Sequence, residues 1–91
     1  MTSTPNEHLL CRVLAIFDGE TEELIDVIEL VGFELQSFVE QFDVLVESDP
    51  HMLDRYAVGP MDVDFVLKHL PRHVDFDFRT HGYFIDAAKR E

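Results

Sequence analysis

A single cysteine, no tryptophan, four glycines and four prolines among 91 residues remove several classes of protein at once. One cysteine cannot close a bridge within the chain, so a disulfide-stapled secreted scaffold is excluded. The glycines stand isolated, and the chain contains no Gly-rich phosphate loop, no paired-cysteine motif and no Gly-x-Ser-x-Gly elbow. The longest apolar run, residues 13–17, falls far short of the ~20 residues that cross a bilayer. Residues 1–8 are polar and hold neither Lys nor Arg, so they lack the basic start of a signal peptide. A cytoplasmic location is expected.

Positive charge is scarce as well. Seven Lys and Arg against nineteen Asp and Glu give a formal net charge of −12. A field of that sign excludes nucleic-acid binding through phosphate neutralisation and disfavours anionic lipid. The scarcity is also uneven. Residues 13–54 contain no Lys or Arg, yet hold Asp18, Glu20, Glu22, Glu23, Asp26, Glu29, Glu34, Glu40, Asp43, Glu47, Asp49 and Asp54. Outside that stretch seven acids meet seven bases. Solubility needs net charge but not segregation, so the pattern points to an electrostatic face for a basic partner.

What is present is enough for one small core. The chain is 46% hydrophobic and includes eight Phe, which argues against disorder and for a single domain. Residues 1–7 read as a flexible leader, 8–88 as the domain and 89–91 as a frayed end. Leu9, Cys11, Val13, Ala15 and Phe17 alternate with Leu10, Arg12, Leu14 and Ile16, which is the period of a strand. Asp18-Gly19-Glu20 signals a turn, and the β-rich residues 24–30 complete an antiparallel hairpin. Helices are expected to cover one face of the first strand, leaving Leu10, Leu14 and Ile16, with Leu24 and Ile28, on the spare face.

Leu35, Phe38, Val39 and Phe42 form one helical stripe. Ser48-Asp49-Pro50 stops it, and Met52-Leu53 are expected to plug the core edge. Pro60 suits the first turn of a second helix whose stripe is Val63, Val66, Leu67 and Leu70 and which Pro71 ends. Asp62 and Asp64, with Lys68 and His69, complement its dipole. Val74, Phe76 and Phe78 alternate with Asp75, Asp77 and Arg79 as a half-buried strand that Tyr83-Phe84-Ile85 continue. The fold expected is α+β, in the order β-β-α-α-β: a small antiparallel sheet, made of a hairpin and a C-terminal strand, with two helices on one face.

Candidates for chemistry are weak. His73, Asp75 and Asp77 share a strand face, but same-face strand residues lie near 7 Å apart, too wide for one ion, and Pro71 prevents a helical His69–His73 clamp. Cys11 reads as a buried structural thiol. No catalytic residue, metal or cofactor is therefore assigned, and the chain is expected not to be an enzyme. The residues assigned to partner binding are Asp18, Glu20, Glu22, Glu23, Asp26, Glu29, Glu40, Asp43, Glu47, Asp49 and Tyr56. The spare strand face, or Tyr56 and Tyr83, would supply an apolar anchor beside the charges.

Asp49-Pro50-His51-Met52 with Tyr56-Ala57-Val58, then a second helix, then Asp75-Phe76-Asp77-Phe78 followed by Tyr83-Phe84, resembles a family of small acidic bacterial immunity proteins of polymorphic toxin systems. The resemblance spans residues 10–87, with Thr80-His81-Gly82 longer than the connection expected there. It implies inhibition of a cognate toxin by occlusion. The expected function is an immunity- or antitoxin-like inhibitor of a basic toxin domain, such as a nuclease, with no direct contact to nucleic acid or membrane. The alternatives are a nucleic-acid mimic that blocks a DNA-binding protein, and a regulatory domain that pairs with itself through the hairpin.

Overall fold

A computed structural model describes residues 10–89; the expected leader and the last two residues of the chain lie outside them. Strand β1 (Leu10–Asp18) and strand β2 (Leu24–Glu29) form the expected hairpin. Helix α1 (Leu35–Gln41), the two-residue strand β3 (Tyr56–Ala57), a 3₁₀ turn (Pro60–Asp62), helix α2 (Val63–Leu67) and strand β4 (His81–Lys89) follow. The sheet is antiparallel throughout and its order is β2-β1-β4-β3. An α+β fold with two short helices is what the apolar periodicities predicted.

β1 is central because it can pair on both sides. It runs against β4 in unbroken register from Leu10↔Lys89 to Asp18↔His81. Against β2 the register shifts between Ile16 and Phe17, a bulge that sets Leu24 opposite Phe17. The turn between them needs Gly19: a Cβ there would sit 2.8 Å from the Thr80 carbonyl oxygen, which accepts the Gly19 N–H.

The core lies on the sheet face that carries Leu14, Ile16, Ile28, Tyr83 and Ile85, beneath Phe38 of α1 and Val66 of α2. Phe38 is fully buried, and its ring meets Phe33 at 4.6 Å, Phe65 at 4.8 Å and His69 at 4.8 Å. Burying a side chain of that size contributes about 2–3 kcal/mol. Met52 plugs the core as expected, whereas Leu53 is exposed.

Three expectations need correction. The helices cover the Leu14 and Ile16 face, so the spare face is the opposite one, with Cys11, Val13, Ala15 and Phe17. Cys11 is consequently half-buried on that open face rather than a core thiol. Residues 74–78 are not a strand. The Asp77 carbonyl accepts the N–H groups of Thr80 and His81 in a turn, and the Phe76 and Phe78 rings pack against Tyr83, tilted at 4.6 Å and edge-on at 5.2 Å. Their alternation comes from ring packing, and β4, which begins only at His81, takes the place beside β1. That strand runs to Lys89.

Candidate protein-docking face

Sheet parity decides what the open face presents. Ala15 pairs with Val27 on one side and Phe84 on the other, and Phe17 pairs with Gly82. The small Val13 and Ala15 are buried between larger neighbours, while Leu24, Ile25 and Val27 of β2 are 55%, 51% and 45% exposed. Phe17 and Phe84 meet edge to face at 5.6 Å, and the Arg55 guanidinium lies over both rings at 5.0 and 5.5 Å. Asp86 holds it there with a 3.1 Å ion pair to Arg55 Nε. At the turn end of this face Phe17, Phe84, Gly82 and Arg55 line an open cleft of about 380 Å³ whose rim includes Asp18 and Glu22.

The assigned acids separate into groups. Asp18 closes the turn: its Oδ1 accepts the N–H groups of Thr21 and Glu20 at 2.9 and 2.8 Å, and these bonds hold its carboxyl below the usual range. Glu20, Glu22 and Glu23 are exposed around the same turn, and no ion pair among the described residues reaches them. Glu22 has a φ of 64° and Glu23 closes the turn through its carbonyl, which accepts the Asp18 N–H. Asp26 lies on the helix side of β2 and is paired with Arg72 at 3.0 Å, so a base from the second half of the chain returns to the acidic half. Glu29, exposed, pairs in register with Val13 and belongs to the open face. Glu40 and Asp43, on and just after α1, and Glu47, in the following loop, are exposed elsewhere on the molecule.

Asp49 and Tyr56 are not available as assigned. Asp49 is buried, and its carboxylate accepts the Leu53 N–H at 2.8 Å, the Asp54 N–H at 3.0 Å and the Tyr56 hydroxyl at 2.6 Å. Burial alone would raise its pKa, but those bonds and the Arg12 guanidinium outweigh it and hold the carboxyl below its ordinary value. The same bond from its hydroxyl pushes Tyr56 up to about 12. Tyr83 is no anchor either: it is buried, and its hydroxyl oxygen accepts the Asp77 N–H at 2.9 Å. Of the spare-face residues expected as an anchor, Leu24 is exposed and Ile28 is buried in the core; Ile25 and Val27 of β2 are exposed beside Leu24.

His73 and Asp75 pair with each other at 2.8 Å and are solvated. Among the described residues no three His, Cys, Asp or Glu side chains converge as a metal site. No helix among them is long and apolar enough to cross a membrane.

The pairing of Phe17 with Phe84 under Arg55 had no signal in one dimension, because strand, loop and final strand each supply one member. The exposed trio did have one: residues 24–30 are β-rich, and acids flank them.

Residues 11–86 match the family described as Domain of unknown function (DUF7683). The chain belongs to that family. The matched span begins at the second residue of β1 and ends within β4, so both helices and nearly all of the sheet, its open face included, belong to the DUF7683 domain. Neither the curated proteins nor the solved structures contain a match to it.

Proposed function

We propose that this DUF7683 domain is a non-catalytic inhibitor of the immunity or antitoxin kind, docking on a basic toxin domain and covering its active site. The observation that carries the reading is the contiguity of two features: an exposed apolar trio on β2, and the carboxylates of Asp18, Glu20, Glu22 and Glu23 at the turn end of the same hairpin. Interfaces work through that combination, in which a desolvated apolar centre supplies affinity and a charged rim supplies steering and partner choice. A toxin nuclease that grips phosphate presents the complementary sign.

The test is recovery of the partner from the native host at low salt, followed by titration with a Glu20→Lys, Glu22→Lys, Glu23→Lys variant. These side chains are exposed, so the fold should survive. Affinity should fall by about tenfold or more, through a slower association rate, and the salt dependence should flatten. Unchanged affinity and salt dependence would remove the electrostatic half of the proposal. A partner with an acidic surface would remove all of it.

A further inference from the structure

An antiparallel ladder points alternate residues of an outer strand away from its neighbour. The Leu30 N–H donates to the Arg12 carbonyl at 2.8 Å, so with Leu14↔Ile28 and Ile16↔Asp26 in the same phase, Ile28 and Asp26 face β1 with their backbone groups. Val27 therefore faces outward. Its N–H does not meet a strand; it donates to Oδ1 of Asp26 at 2.8 Å, while Oδ2 of Asp26 accepts from Arg72 at 3.0 Å. The same device recurs where β4 runs past β3: the Ala87 N–H donates to Oδ1 of Asp86, whose Oδ2 accepts from Arg55. These two outward amides are thus closed by the carboxylate of the preceding residue, and both carboxylates are held by an arginine.

The two edges differ in what else protects them. β3 is only two residues long. β2 is six residues long, five of them exposed, and holds no Lys, Arg or Pro; what guards it is a bulge at its turn end and the charges of Asp26 and Glu29, which oppose a strand of like charge but not a basic one. A long edge of exposed β-forming residues, closed at Val27 by one half-exposed side chain, leaves room for a strand.

We propose that the basic partner adds a strand to the outer edge of β2, with the Asp26 carboxylate leaving the Val27 N–H to make way for a backbone carbonyl. This deepens the docking reading above and rests on it. Charge selects the occupant. Glu23 precedes the strand and Asp26 and Glu29 flank Val27, so the edge carries carboxylates and no base, and a strand bearing Lys or Arg meets the complementary sign. A second copy of this chain would bring the same three acids against their own kind, between molecules of net charge −12 each.

The experiment uses the full chain and a probe peptide, acetyl-(Lys-Val)₄-amide, followed by amide NMR and hydrogen exchange. The Val27 amide should shift and slow about tenfold, the Ile28 amide, already in the ladder, should keep its rate, and added salt should weaken binding. Val27→Pro removes the outward donor, keeps every carboxylate and spares the ladder to β1, so it should lower affinity about tenfold. Acetyl-(Lys-Pro)₄-amide, equal in charge but poor as a strand, should bind the wild-type chain about tenfold more weakly, a comparison that needs no variant. Equal binding of the two peptides overturns strand addition, as does full affinity in folded Val27→Pro, or Val27 protection that appears with protein concentration alone. If the native partner is lost on reversing the turn glutamates but kept by Val27→Pro, docking stands and strand addition falls. If the peptide adds to β2 while the native partner proves acidic, the edge stands and the docking reading falls.

Discussion

Asp49 gathers the Tyr56 hydroxyl and the amides of Leu53 and Asp54 around one carboxylate, and so ties the loop that precedes β3 to itself. Because its folded pKa is depressed, it contributes stability above the unfolded value near 4, and that stability is lost as pH falls through the lower folded value. Tyr56 has the opposite sense. Raised to about 12, it contributes stability that is complete below the unfolded value near 10 and is lost as pH rises through about 12. Ultraviolet titration should show one tyrosine ionising near 12, and Asp49→Asn, which keeps an acceptor but removes the charge, should bring it back toward 10. Asp49→Ala should cost about 2–3 kcal/mol in denaturant unfolding by leaving three donors without an acceptor. A wild-type tyrosine spectrum that titrates entirely near 10 would contradict the geometry. None of this was legible from the sequence, where Asp49 is one acid among twelve between residues 13 and 54. Its role depends on a turn in which Met52 takes a φ of 53°, a conformation that an apolar residue does not advertise.

At the scale of elements, α1 shows how a surface acid can serve the backbone. Phe42 ends the helix, Asp43 follows with a φ of 54°, and the Val44 N–H reaches back to the Val39 carbonyl at 3.0 Å. That is a Schellman termination with aspartate where glycine is usual. Asp43→Gly should therefore raise stability by about 0.5–1 kcal/mol, seen as a higher denaturation midpoint, and should leave partner affinity unchanged if docking uses the open sheet face. A loss of stability would mean that Asp43 holds something beyond its own backbone.

The hairpin and both helices were readable because their apolar residues repeat at periods 2 and 3.6. The choice of sheet face was not, since β1 is apolar on both sides and alternation cannot rank them. The larger Leu14 and Ile16 fill the space beneath the helices, and the smaller Val13 and Ala15 are left to the other side. Residues 74–78 show the converse failure: a true alternation arose from rings packing on Tyr83, with no ladder behind it.

Across the whole molecule the segregation of charge seen along the chain is partly undone by folding. Arg72 returns to Asp26, Arg12 lies near Asp49, and Asp49 itself is buried. What survives is local, the carboxylates around the β1–β2 turn, and they adjoin exposed apolar side chains on rigid strands. Other exposed apolar side chains exist: Leu45, Val46 and Met61 are 71%, 51% and 92% exposed, and Asp43 and Glu47 neighbour the first two in the chain. These side chains belong to loops and the 3₁₀ turn and lack the turn's concentration of unpaired carboxylates.

The most direct measurement is therefore a methyl NMR map of this chain bound to the basic partner recovered from its host, read by saturation transfer across the interface. Transfer is expected to the methyls of Leu24, Ile25 and Val27, with those of Leu45, Val46 and Met61 silent. Transfer to the second set alone, with the β2 methyls unchanged, would place the partner on the wrong side of the sheet and contradict it.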